Sequence, residues 1–125
     1  MTEHMPSAET LEALRGSPAG PIVMLNLIKY REPGGREAYQ RYGAIAATTV
    51  GESQGQIVFA GEAGPVLTGS DVEWDEMILV RFPSAAHFLG MVEGDVYSRQ
   101  AAPIRAEALE ATLWMAAYPH PGFEE

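Results

Sequence analysis

Trp74-Asp-Glu-Met-Ile-Leu-Val-Arg-Phe82 runs straight into Pro83-Ser-Ala-Ala-His-Phe-Leu-Gly-Met-Val92. The first half is short, apolar and rich in strand-forming side chains, so it reads as a β-strand. In the second half Ala85, Phe88, Leu89 and Val92 recur at helical spacing and form one apolar face. Ser84 is a suitable cap for that helix, or Pro83 is its first-turn residue. Glu93-Gly-Asp95 then breaks it. One charge, Arg81, sits near the exit of the strand among apolar neighbours.

The same strand–helix unit occurs earlier in the chain. Ile22-Val-Met-Leu-Asn-Leu-Ile-Lys-Tyr30 is bounded by Pro21 and Pro33 and is apolar on both faces over much of its length, as in a strand covered on both sides. Pro33-Gly-Gly35 is a turn. A helix is predicted from about Arg36 to Val50, with Tyr39, Tyr42, Ile45, Ala46 and Thr49 as its inner stripe and Gly51 as its stop. A further strand covers Gly55–Gly61. Glu62–Gly69 is either a bent continuation with a hairpin or a loop. Beyond the second unit, Val96–Ala102 reads as a short helical turn, Pro103 opens another helical piece to Glu107 or Ala108, and Glu110–Ala117 is the last strand.

The resulting order is β-α-β-β-α-β, the ferredoxin-like α+β arrangement: a four-stranded antiparallel sheet with two helices on one face. The other face has no helix left to cover it, yet three of its strands are apolar there. A second copy is the simplest cover, giving a homodimer with the form of a dimeric α/β barrel. Before this unit, Ser7 caps a helix through Arg15 that Gly16 ends. We therefore divide the chain into an N-terminal helical extension (1–20), the ferredoxin-like domain (21–117) and a C-terminal tail (118–125).

A chain of 125 residues suits one domain. Its formal net charge of -9 argues against nucleic acid and against an anionic membrane surface, both of which call for clustered Lys and Arg. A small anionic ligand stays open, because one buried Arg can override the global field locally. The absence of cysteine removes disulfides, thiolate catalysis and zinc–thiolate sites. No stretch looks like a signal peptide or approaches the length of a membrane span, so a cytoplasmic location is expected.

Several groups of residues together carry a resemblance. Met24-Leu-Asn-Leu-Ile-Lys-Tyr30, Tyr39, Tyr42, Trp74-Asp75, Leu79-Val-Arg-Phe-Pro-Ser84, and Tyr97 ahead of Arg105-Ala-Glu-Ala-Leu109 resemble the domain of unknown function family 1330, within the dimeric α/β-barrel superfamily. The resemblance covers about residues 21–117. It implies a ferredoxin-like protomer, a homodimer through the sheets and a small-molecule pocket between sheet and helices. Relatives in the wider superfamily include cofactor-free monooxygenases, haem-degrading enzymes, isomerases and stress-response proteins. The family itself implies no reaction.

Asn26 is an amide inside an apolar strand. Buried without partners it would cost about 1–3 kcal/mol. It is either a structural amide bonded to nearby backbone or a donor and acceptor that orients a ligand. Arg81 either pairs with a carboxylate such as Asp75, Glu76 or Glu107, or grips a ligand oxygen with its planar fork. His87 is the one histidine inside a predicted element and is the candidate for proton transfer, against a plain packing role. Tyr39 and Tyr42 share a helical face. With Trp74, Tyr97 and Arg105 they are candidate pocket residues, against core packing or, for Arg105, a surface ion pair. No second ligand stands at metal spacing near His87, and no phosphate loop follows a strand, so neither metal nor cofactor is expected.

Two functions follow, beside a third reading in which the chain is an oligomeric structural protein whose polar core residues are merely satisfied. One is a cofactor-free oxygenase or isomerase acting on an aromatic or enolisable carbonyl compound, with Asn26 and Arg81 stabilising oxyanion charge. The other is a non-catalytic small-molecule-binding or stress-associated homodimer using the same pocket.

Overall fold

A computed structural model describes residues 4–123. Its elements run in the order α1 (Ala8–Arg15), β1 (Ile22–Tyr30), α2 (Gly35–Glu52), β2 (Gln56–Glu62), β3 (Glu76–Phe82), α3 (Ala85–Val92), α4 (Ala102–Ala108) and β4 (Leu109–Ala117), with a π-helical turn over Tyr97–Ala101 ahead of α4. The four strands form one antiparallel sheet in the order β2-β3-β1-β4. This is the ferredoxin-like topology. The sheet stays open and does not close into a barrel within one chain.

Burial alternates strictly along β1: Ile22, Met24, Asn26, Ile28 and Tyr30 are buried, and the residues between them are half-buried. The buried set faces the helices, where Ile22, Met24, Val80 and Phe82 pack with Tyr42 and Ala46 of α2 and with Ala85, Phe88 and Leu89 of α3. The register fixes which residues share each face. Met24 lies beside Val80 and Asn26 beside Ile78 on the helix side, whereas Val23 lies beside Arg81 and Leu25 beside Leu79 on the other.

Local chemistry sets the element ends. Ser84 Oγ accepts the His87 backbone N–H at 3.3 Å, so Ser84, rather than Pro83, starts α3. Ser7 likewise accepts from the Thr10 N–H at 3.1 Å to start α1. α2 runs through Gly51 and ends where the Ser53 N–H bonds back to the Thr49 and Val50 carbonyls at 3.1 and 3.2 Å. A glycine in a last turn weakens a helix without having to stop it. β3 begins two residues after Trp74. Asp75 Oδ2 accepts the Tyr30 N–H at 2.8 Å and its own N–H donates to the Ile28 carbonyl at 2.7 Å, which pins the strand entrance and leaves Trp74 in the connecting segment. The residues between Glu62 and Glu76 form a loop.

α1 buries none of its residues fully. Leu11 and Leu14 rest on the main core, and Arg15 Nη2 donates to Glu93 Oε2 at 2.6 Å. That contact holds the Glu93 carboxyl below the usual carboxylate range. After β4, the Tyr118 and Ser17 hydroxyls share a 2.6 Å hydrogen bond.

Candidate functional site

Asn26 lies mid-strand on the helix-facing side of β1 and is 7% exposed. Its partner is Arg105, which α4 carries into the interior until it is 2% exposed. Arg105 Nη2 donates to Asn26 Oδ1 at 3.1 Å and to Thr112 Oγ1 at 3.2 Å. Thr112 Oγ1 donates in turn to the Leu27 carbonyl at 2.9 Å, tying the group to β1. Arg105 Nη1 donates to the His4 carbonyl at 3.1 Å. The guanidinium lies 4.1 Å from the Trp114 ring centroid, a cation–π contact. No ion pair among the described residues involves Arg105. Neutral oxygens and an aromatic face therefore carry its charge, while Arg105 Nε and Trp114 Nε1 are buried with no acceptor.

This arrangement dictates how Asn26 is turned. A guanidinium has only donors, so the amide must present Oδ1 to it. The Nδ2 donors then point away from Arg105. Asn26 also lines a cavity of about 150 Å³ between the sheet and α2. The rest of the wall is apolar or aromatic, chiefly Met24, Tyr39, Tyr42, Ile78, Val80, Phe82, Phe88 and Trp114. A dry cavity of that size elsewhere in proteins takes a benzene-sized guest. Arg105 itself stands behind the wall. It holds Asn26 and adds positive potential at its back.

The other polar groups near the cavity are the Trp114 Nε1–H and phenols. Tyr42 and Tyr97 hydroxyls share a 2.7 Å hydrogen bond, with their rings edge to face at 6.0 Å. The Tyr39 ring lies tilted against Tyr42 at 5.0 Å and edge to face with Tyr30 at 5.7 Å. Burial raises the pKa of Tyr39, Tyr42 and Tyr97 above the ordinary phenol value, and the Arg105 charge offsets only part of that. At neutral pH all three are protonated. They can donate a hydrogen bond or hold a ring, but they are not bases.

The structure brings together five of the residues expected at a site: Asn26, Tyr39, Tyr42, Tyr97 and Arg105. It places three elsewhere. Arg81 pairs in register with Val23 on the opposite sheet face from Asn26, so the two strands are neighbours but the two side chains diverge. His87 is half-buried at the start of α3, with Nδ1 2.8 Å from Ser84 Oγ, outside the cavity lining. Trp74 lies with Leu27, Phe59 and Met77 beside the open face. Arg105 is a buried cation, so the surface ion pair considered for it does not apply. Three further participants are Thr112, Trp114 and the His4 carbonyl. Thr112 and Trp114 are two apart in β4 and face Ile28 and Asn26 in register, so strand alternation places them beside Asn26. Among the described residues, no group of three or more His, Asp or Glu could hold a metal ion. No described helix is long and apolar enough to cross a membrane.

Residues 27–117 match the family described as Domain of unknown function (DUF1330). The chain belongs to this family. Among solved structures, this DUF1330 protein is similar to the RPA0582 protein of unknown function from Rhodopseudomonas palustris, at 31% identity and a TM-score of 0.84, over 92% of this chain and 95% of that one. It also resembles the hydroxynitrile lyase from Passiflora edulis, at 14% identity and a TM-score of 0.64, over 85% and 99% of the two chains. A dimeric protein of unknown function with a ferredoxin-like fold, from Bacteroides fragilis, matches at 13% identity and a TM-score of 0.55, over 78% and 94%. At such identities the last two share the fold with this DUF1330 chain and no more. No functionally curated protein matches it.

Proposed function

We propose that this DUF1330 protein binds a small, largely apolar molecule carrying a carbonyl or carboxylate oxygen. The aromatic or apolar part would fill the cavity, and the oxygen would accept from Asn26 Nδ2. The observation that carries this reading is the hydrogen bond from Arg105 to Asn26 Oδ1, which turns the amide donors away from Arg105 at the wall of an otherwise apolar cavity. An amide donor at an apolar wall gains a hydrogen bond from a guest oxygen, so an oxygen-bearing guest is the complement this wall favours.

A catalytic reading uses the same contact. An amide donor backed by a cation stabilises an enolate oxygen as well as a carbonyl, which is what a cofactor-free oxygenase or isomerase of an enolisable carbonyl compound needs. The phenols around the cavity are protonated and His87 lies outside it, so the described residues lining it supply no base. Binding is therefore the better-supported function, and the same geometry serves a non-catalytic binder. Calorimetric titration with acetophenone, a benzene ring bearing one ketone oxygen, tests binding. We expect saturable 1:1 uptake, with weaker uptake of ethylbenzene, which has no oxygen. Equal affinity for the two overturns the reading. Recovery of changed ketone after aerobic incubation would favour the enzyme over the binder.

We further propose that a second copy covers the open sheet face. Leu25 there lies beside Leu79 and Met115, and Leu79 beside Phe59. Phe59 and Met115 are 47% and 51% exposed. An apolar face of this kind calls for a partner, and a symmetric copy offers the same apolar side chains in return. Light scattering should give the mass of a dimer, and a monomer at micromolar concentration contradicts this.

A further inference from the structure

A second cavity of about 140 Å³ lies beneath α1, lined by Pro6, Thr10, Leu11, Leu14 and Ala116 together with Met24, Phe88 and Trp114. The last three also line the cavity at Asn26. The two spaces are therefore separated by a partition one side chain thick. One member of it is methionine, whose unbranched thioether adapts its rotamer more readily than any other apolar side chain.

The element that roofs the second space is lightly held. α1 buries no residue fully, and Leu11 and Leu14 are half-buried. Its polar tethers to the body include the exposed Arg15–Glu93 pair, the Ser17–Tyr118 hydroxyl bond just after it and the His4 carbonyl on Arg105 just before it. Exposed ion pairs contribute little to stability. The partition is thin and adaptable, and the roof is amphipathic with its leucines turned down.

We infer that the space beneath α1 is the continuation of the Asn26 pocket, and that the ligand is an amphiphile with its oxygen-bearing head at Asn26 and an apolar tail under α1. This rests on the oxygen-binding reading of Asn26 given above. Leu11 and Leu14 then set the length of tail accepted. Head and tail contacts come from different parts of the chain, β1 and α1, so the N-terminal helix is part of the binding site. Tail binding also couples to the head site, because Trp114 touches the tail space on one side and Arg105, which holds Asn26, on the other.

A homologous series tests this: acetophenone, butyrophenone, hexanophenone and octanophenone, titrated calorimetrically into the full chain. Each methylene that leaves water should strengthen binding about fourfold until the space is full. Leu14→Trp and, separately, Leu11→Trp fill the space, and each should flatten that dependence on tail length. Circular dichroism checks that the variants fold. A flat series in the wild type, with acetophenone still bound, overturns the inference and leaves the head-group reading intact. A rising series that both tryptophan variants leave unchanged puts the tail elsewhere and also overturns it. Failure of every member to bind, acetophenone included, refutes the head-group reading itself and this inference with it.

Discussion

Replacing Asn26 by Asp separates the two jobs assigned to that side chain. The Asp carboxylate keeps an oxygen where Oδ1 meets Arg105 Nη2, 3.1 Å away. With charge centres about 4 Å apart, the attraction is about 4 kcal/mol at an effective dielectric near 20. Desolvating a buried carboxylate costs several kcal/mol, so the two nearly cancel and stability should stay within about 1 kcal/mol of wild type. The cavity side changes completely, because two N–H donors become an oxygen that only accepts. A ligand oxygen loses its hydrogen bond and meets a carboxylate that repels its partial negative charge. The lost bond alone costs about 1–3 kcal/mol, or about 5- to 150-fold in Kd. Asn26→Leu gives the converse pattern on stability. It deprives the buried guanidinium of one acceptor and should cost about 1–3 kcal/mol, since Thr112 and His4 still hold Arg105. Urea unfolding and ketone titration on the same samples read both quantities. A folded Asn26→Asp protein that binds acetophenone within twofold of wild type refutes the assignment of Nδ2 as the donor.

Other expectations follow from the same geometry. Arg105→Met should lower stability by about 2–4 kcal/mol in urea unfolding, because it orphans the Asn26 and His4 oxygens and removes the contact with Trp114, and Arg105→Lys should restore little of it, since an ammonium has no fork to span these acceptors. Tyr42→Phe and Tyr97→Phe should each cost about 1–2 kcal/mol by leaving the other hydroxyl of the 2.7 Å pair alone, while the double variant should cost less than the sum. Burial raises the folded pKa of both phenols above the ordinary value near 10.0, so the stability tied to them is fully present below that pH and falls as pH rises above it. Alkaline unfolding followed by circular dichroism should set in later for the double variant. Leu79→Glu on the open face should turn the proposed dimer into a monomer by light scattering without disturbing the cavity on the opposite side of the sheet.

The element order was legible because period and punctuation agree along most of the chain. Ile22–Tyr30 is apolar and bounded by prolines, and Ser7 and Ser84 cap the helices they precede. The faces were less legible. Asn26 and Arg81 sit in adjacent strands, but a one-residue change of parity decides which side of the sheet each meets, and β3 is apolar on both sides. Only pairing of β1 with β3 fixes it. Arg105 was hidden for another reason. Its burial depends on Asn26, 79 residues away, and on a backbone carbonyl at His4 that has no side-chain signature. The π-helical turn before α4 aims Tyr97 at Tyr42, and the sequence there reads as an ordinary helical turn.

The central claim is that Arg105 holds the Asn26 amide with its donors toward the cavity, where they meet a ligand oxygen. Side-chain amide resonances of Asn26 in a 15N–1H spectrum report on those protons directly. With acetophenone added, they should move downfield in a saturable titration whose midpoint matches the calorimetric Kd. Asn26 amide resonances that stay in place while calorimetry shows the site filled would contradict the claim.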